Sequence, residues 1–194
     1  QQNTDFFVGM KTVKTDDTNL ILSKIEKADR VSVVPEIVGK NICGAAFCVD
    51  DTVYIADVYD VSSLICDVFL GDAQKVVFNI KDTMVAMWET LSKSKSVVDC
   101  AIAGYLLNPQ KTYTIESICS EYLGADVTAD ESQSAQLSLL DEEENTALPK
   151  QAYALLKLWD VLSDKIEQNS QHELFYEVEM PLVYVQSVAE LIGY

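Results

Sequence analysis

The chain has 194 residues, 48% of them apolar, and its 31 acidic and 14 basic side chains give a formal net charge of −17. This length is enough for one domain with a sizeable core. No apolar run approaches the roughly 20 residues that span a bilayer, and so negative a surface repels phosphate groups. We therefore expect a cytoplasmic protein that binds neither membranes nor, by itself, nucleic acid.

The cysteine pattern argues against zinc and against disulfides. The five cysteines stand among apolar neighbours without a CxxC pair, and His172 is the only histidine. Such cysteines are usually reduced, buried thiols in a reducing compartment. We expect this of all five, namely Cys43, Cys48, Cys66, Cys100 and Cys119.

The first 29 residues are predicted to form an extension or linker with one short helix. Residues 16–18 offer polar N-cap side chains, and Leu20, Ile21 and Ile25 follow at helical spacing. The apolar positions are few, so the predicted helix is only weakly amphipathic.

Three strands are predicted next, over residues 31–37, about 42–49 and about 52–58. The pair Asp50-Asp51 indicates a tight hairpin between the last two. The first strand is almost continuously apolar, as strands covered on both faces are. We therefore expect it in the interior of the sheet.

The rest of the chain alternates strand and helix and then becomes helical. The predicted elements are a helix over 61–71, a strand over 76–80, helices over 82–91, 101–109 and 114–124, a helix of about 20 residues from Leu148, and a last helix from about Leu174 that Pro181 interrupts. The stretch 125–145 is polar and acidic, which predicts a mobile loop. The pattern indicates an α/β fold with one mixed central β-sheet flanked by helices and a helical C-terminal part.

Four stretches resemble the 3′–5′ exonuclease domain of bacterial family A DNA polymerases, particularly the Gram-positive versions whose proofreading site has decayed. They are RVSVVPEIVG from Arg30 with GAAFCV from Gly44, VVFNIKDTMVAMWE from Val76, VVDCAIAGYLLNPQKTYTIESICSEYLG from Val97, and the segment from Leu155 to Tyr194. The most specific parts are Asp99 to Pro109 and Glu177 to Leu182. The resemblance implies a ribonuclease-H-like fold over residues 30–170 and the start of a polymerase domain in 171–194.

The resemblance also implies where an active member would hold its two metal ions. Such chemistry needs about four carboxylates, which active members supply as Asp-x-Glu on the first strand, an Asp four residues after an Asn, and Tyr-x-x-x-Asp on a late helix. Here Glu36 matches, but Val34, Thr83 and Gln151 stand at the other three ligand positions, and Ala147 replaces the tyrosine. Glu36 is therefore interpreted as a remnant.

Other acids match the expected site only in part. Asp82 lies one residue early, and Asp99 matches an acid that the family places beside the site; both are better explained as helix N-caps. A literal Tyr-x-x-x-Asp at Tyr122 and a literal Asp-x-Glu at Asp141 lie outside the expected elements. We interpret these two matches as accidental.

The leading interpretation is a catalytically inactive proofreading-like domain with a structural role in a DNA replication and repair polymerase. The segment would be no enzyme, would hold no metal or cofactor, would be a monomer in isolation, and would meet DNA only through its parent. Its partner would be the polymerase domain of the same chain. Two alternatives stay open: an active nuclease with an altered ligand set from Glu36, Asp82 and Asp99, and an acidic protein-interaction module using the 125–145 loop or the last helix.

Overall fold

The computed structural model describes residues 6–81, 85, 87, 89, 92–129 and 147–180. In chain order the elements are β1 (Lys11–Thr15), α1 (Thr18–Glu26), β2 (Arg30–Val38), β3 (Asn41–Val49), β4 (Thr52–Ala56), α2 (Val61–Leu70), β5 (Gln74–Val77), β6 (Val97–Asp99), α3 (Cys100–Leu107), α4 (Ile115–Leu123), α5 (Ala147–Gln168), α6 (His172–Leu174) and a π-helical turn (Phe175–Glu179).

A six-stranded mixed sheet forms the centre of this part of the chain, in the order β1-β4-β3-β2-β5-β6. Strand β2 pairs antiparallel with β3 and parallel with β5. The predicted mixed sheet is confirmed, and so is the interior position of the first predicted strand. The apolar run of β2 is explained by this position, because a central strand is covered on both faces.

The prediction for the first 29 residues was incomplete because it missed β1. This strand pairs parallel with β4, with Lys11 opposite Thr52, and thereby forms one edge of the sheet. Residues Lys11 to Lys14 are all exposed, so the strand carries no apolar alternation from which it could be recognised. Residues 11–15 therefore belong to the same sheet as the interior strand.

Several predicted helix ends are confirmed by the caps that the structure shows. The Asp17 side chain accepts a hydrogen bond from the backbone N–H of Leu20 at 3.1 Å and so caps α1. Thr114 caps α4 through the N–H of Ser117, and Gly124 ends the same helix in the left-handed conformation at φ 63°. Local sequence therefore fixes these boundaries.

The long helix α5 packs across the sheet and anchors the fold. Its buried face includes Leu155, Leu158 and Leu162. The buried Ser32 hydroxyl on β2 donates a 2.6 Å hydrogen bond to the carbonyl oxygen of Ala152. Farther along the helix, Asp160 forms an ion pair with Arg30 at the start of β2. These two contacts hold α5 against the central strand at two separate points along the helix.

Some predictions lie wholly or partly outside the described residues. Of the predicted helix over 82–91 only Val85, Met87 and Glu89 are described, and they are helical; most of the 125–145 loop and everything after Met180 are not described. Among the described residues no helix is long and apolar enough to cross a membrane.

The prediction of five buried thiols needs one correction. Cys48, Cys100 and Cys119 are buried, but Cys66 is half-buried and Cys43 is exposed. Cys43 lies near the tip of the β2–β3 hairpin, where both strands extend beyond the core. Apolar sequence neighbours did not reveal this exposure, since they alternate between the two faces of the strand.

Candidate functional site

A cleft of about 190 Å³ lies where β2, the turn after β5, the start of α4 and the first turns of α5 meet. Its lining includes six apolar residues and two carboxamides, namely Val33, Val34, Pro35, Ile37, Phe78, Ile115, Asn79 and Gln151. Two of the predicted ligand positions, Val34 and Gln151, are thereby brought together. The described lining contains no carboxylate.

Neither Val34 nor Gln151 carries a charge, although the resemblance implies a carboxylate at each of these positions. Val34 is opposite Ala46 on β3 and is only 9% exposed. Gln151 lies near the start of α5 and is half-buried. A valine side chain offers no lone pair to a metal ion, and a neutral amide oxygen supplies none of the negative charge of a carboxylate. The donor set present here does not fit a two-metal site.

Glu36 lies two residues after Val34 but does not line the cleft. It pairs with Gly44 on β3, and the register shifts immediately after it. A Cβ atom added at Gly44 would lie 3.1 Å from Oε2 of Glu36, so the carboxylate lies against the bare backbone of the neighbouring strand. Glu36 therefore lies on the strand that forms one wall of the cleft, with its carboxylate against β3.

Asp99 is confirmed as a helix cap, because its Oδ1 accepts a hydrogen bond from the N–H of Ala101 at 2.9 Å. It also accepts 2.9 Å bonds from two residues far from it in the chain: the N–H of Asn79 at Oδ1 and the N–H of Ile80 at Oδ2. The side chain is buried at 1% exposure. Burial raises the pKa of this carboxyl, while the backbone hydrogen bonds oppose the rise.

No local sequence pattern predicts the hydrogen bonds between Asp99 and the turn after β5. Asp99 ends β6 directly opposite Val77, the last residue of β5. This pairing places its carboxyl group beside the two residues that follow Phe78. Only the register of the two strands reveals the contact, so reasoning from the sequence could assign the cap alone.

The remaining predicted positions are outside the cleft or outside the described residues. Thr83 and Asp82 are not described, and neither is Asp141. Where the chain is described, no group of three His, Cys, Asp or Glu side chains could hold a metal ion.

The literal Tyr-x-x-x-Asp at the end of α4 has a local structural use. Tyr122 lies 6.0 Å from Tyr113, measured between ring centroids. The Asp126 carboxylate accepts hydrogen bonds from the Thr128 hydroxyl and, at 2.9 Å, from the Thr128 N–H. Both bonds lower the pKa of the Asp126 carboxyl group, the hydroxyl bond more strongly. Neither residue lines the cleft.

Residues 37–133, half of the chain, match the family described as DNA polymerase I, ribonuclease H-like domain. The chain belongs to this family. The match includes the turn after β5, Asp99 and both helices that follow, and so covers two of the four elements that meet at the cleft; Val34 and Gln151 lie outside the matched residues. The ribonuclease-H-like fold expected from the resemblance is confirmed.

The curated relatives are much longer proteins than this chain. DNA polymerase I of Bacillus subtilis is 30% identical over 128 residues, which is 63% of this chain and 14% of the relative. DNA polymerase I of Mycobacterium tuberculosis is 32% identical over 101 residues, 49% of this chain and 11% of the relative. The chain therefore matches about a seventh, or less, of the length of these relatives.

Solved structures share the fold at lower identity. The POL domain of Pol1 from M. smegmatis, in complex with DNA primer-template and dNTP, has a TM-score of 0.72 at 17% identity, covering 94% of this chain and 32% of that one. Brucella melitensis NrnC with bound Mg²⁺ has a TM-score of 0.69 at 16% identity, covering 95% and 94%. The catalytic core of RRP6 from Trypanosoma brucei has a TM-score of 0.71 at 13% identity, covering 91% and 53%. At these identities the likeness concerns the fold.

Proposed function

We propose that this chain is a vestigial 3′–5′ exonuclease domain of a DNA polymerase I, without catalytic activity and with a structural role in its parent. The observation that carries the proposal is that Val34 and Gln151 line one cleft in place of two metal-binding carboxylates. The family membership supports the domain assignment, and the chemistry of the cleft supports the loss of activity.

The physical argument rests on charge. Two divalent cations held about 3.5–4 Å apart repel each other strongly, and carboxylates must neutralise them. Of the four expected ligand positions, Val34, Thr83 and Gln151 are uncharged, and Glu36 alone remains. One carboxylate does not offset four positive charges in a cleft whose other walls are mostly apolar.

The alternative of an altered ligand set is weakened by Asp99. Its two carboxyl oxygens accept backbone hydrogen bonds from Asn79, Ile80 and Ala101. A metal ion at Asp99 would compete with these bonds, and each buried N–H group left without a partner would cost about 1–3 kcal/mol. Glu36 and Asp82 would then have to serve as the complete set of ligands.

The structural role would be to pack against and orient the polymerase domain of the same chain. The domain would meet DNA only through the parent, which would carry out DNA synthesis in replication and repair in the bacterial cytoplasm, and the isolated chain would be a monomer. The charge of −17 supports the assignment of DNA contact to the rest of the parent protein, because it disfavours independent DNA binding by this chain. In the alternative hypothesis of an acidic protein-interaction module, the 125–145 loop or the last helix would bind a partner protein.

A nuclease assay tests the proposed inactivity. The purified chain is incubated with 5′-labelled single-stranded DNA and Mg²⁺ or Mn²⁺, beside a Glu36→Ala variant prepared identically. We expect no shortening from the 3′ end by either protein. Metal-dependent shortening that Glu36→Ala abolishes would contradict the proposal. Equal shortening by both preparations would indicate a contaminating nuclease, and the assay would be repeated after further purification.

A further inference from the structure

Asp99 makes more backbone contacts than a helix cap requires. One accepted hydrogen bond, here from Ala101 at 2.9 Å, is enough to cap α3. The bonds from Asn79 and Ile80 connect the same carboxyl group to a different segment, the turn that follows β5. Both of its oxygens act as acceptors, an arrangement that suits the ionised carboxylate.

Asn79 adopts a backbone conformation that needs support. Its φ of 57° lies in the left-handed region, which is unfavourable for residues other than glycine, although asparagine tolerates it better than most. Asn79 is also one of the residues lining the cleft. Its conformation therefore decides where that wall of the cleft lies.

The two bonds from the turn fix this conformation geometrically. The N–H of Asn79 belongs to the peptide plane before its Cα atom, and the N–H of Ile80 belongs to the plane after it. Since Asp99 accepts from both, it sets the directions of the two planes and hence φ and ψ between them. A backbone conformation in a sparsely populated φ/ψ region persists only when the contacts around it hold it there.

We propose that Asp99 is a positioning residue that holds Asn79 in the left-handed conformation and thereby joins one wall of the cleft to the start of α3. This role does not involve metal ligation, and it holds whether or not the cleft hydrolyses DNA. It gives this buried acid a use that is separate from the metal ligands of an active site.

A pair of variants separates the positioning role from capping. In Asp99→Ser the shorter side chain keeps an oxygen for the Ala101 N–H but no longer reaches the turn. As a matched control, Asp60→Ser changes an exposed cap of α2 that accepts a bond from the Ser63 N–H. Amide hydrogen exchange and the ¹³Cα and ¹³Cβ shifts of residue 79 are measured by NMR in the parent chain and in both variants.

In Asp99→Ser we expect the amides of Asn79 and Ile80 to exchange about tenfold faster or more, since each loses its acceptor. The shifts of residue 79 should lose their left-handed values, while the Ala101 amide stays protected. Asp60→Ser should leave residue 79 unchanged. A folded Asp99→Ser chain with parental exchange and shifts at residues 79 and 80 would overturn the proposal.

If Asp99→Ser does not fold, Asp99→Asn provides the test. The amide keeps the Oδ1 acceptor for Asn79 and Ala101 but replaces the Oδ2 acceptor of Ile80 with an NH₂ group that cannot accept. The Ile80 amide should then exchange faster than in the parent, and residue 79 should depart from its left-handed shifts. Parental behaviour at both residues in Asp99→Asn would also overturn the proposal.

Discussion

Val34 on β2 and Gln151 on α5 line the same cleft, although they are far apart in the chain. The hydrogen bond from the Ser32 hydroxyl to the Ala152 carbonyl, two residues from Val34 and one from Gln151, holds the helix at this position on the strand. Both residues are uncharged where the family resemblance implies carboxylates.

The first prediction concerns a carboxylate restored at position 34. Val34→Asp alone should not create nuclease activity, because Thr83 and Gln151 remain uncharged. It should destabilise the chain at neutral pH, since it removes buried apolar surface worth roughly 1.5–3 kcal/mol and adds a polar group without a partner. Thermal and urea unfolding would measure the loss.

The pH dependence of this loss has a definite sign. Burial raises the pKa of the new Asp above its unfolded value of about 3.9, so the folded chain binds the proton more tightly than the unfolded chain does. The deficit should therefore shrink as pH falls through the raised pKa, whereas Val34→Asn, the uncharged control, should show no such recovery. A Val34→Asp chain as stable as its parent, or strongly stabilised by millimolar Mg²⁺, would favour a surviving metal site.

The second prediction concerns the hydrogen bond that positions α5. Ser32→Ala should cost about 1 kcal/mol because it removes a buried hydroxyl that donates to Ala152 at 2.6 Å. Ser23→Ala is the control: its hydroxyl donates at 2.8 Å to Leu20 within α1, farther from the core. The control should change stability by less than about 0.5 kcal/mol. Equal effects in urea unfolding would mean that Ser32 does not hold the helix.

The third prediction concerns the ends of two helices. Gly124→Ala should destabilise by about 1–2 kcal/mol, because φ is 63° and alanine is strained there. Gly71 ends α2 at φ −77°, and a Cβ there would meet the Val68 carbonyl at an ordinary 3.4 Å. Gly71→Ala should therefore have the smaller effect in thermal unfolding. The reverse order would contradict the backbone conformations described above.

The sequence revealed those elements whose local pattern matches their environment. Strand β2 is covered on both faces, and its sequence is almost continuously apolar. Helix α4 ends at Gly124, because its cap requires a positive φ. Strand β1 was missed because its exposed residues at the sheet edge leave no apolar alternation. Strand β6, although buried, was also missed, because its three residues are too few to show a pattern. Recognition from sequence therefore depended on a long enough apolar pattern or on cap residues.

In the candidate site, too, some features could be predicted from the sequence and others could not. The residue types at positions 34 and 151 could be read by comparison with the family motifs, but their meeting in one cleft depends on how α5 packs on the sheet. The orientation of Glu36 toward Gly44 and the contacts of Asp99 with the turn depend on strand register. Register and packing join distant segments, so no local pattern could have predicted them.

The most direct test of the proposed loss of the metal site is a Mn²⁺ titration of the purified chain and of Glu36→Ala, followed by electron paramagnetic resonance of the free ion. We predict that the two proteins bind Mn²⁺ equally, because any ions held by this acidic chain occupy its general surface and not the cleft. Two ions bound to the parent at millimolar concentrations or below, displaced by Mg²⁺ and absent from Glu36→Ala, would contradict the account.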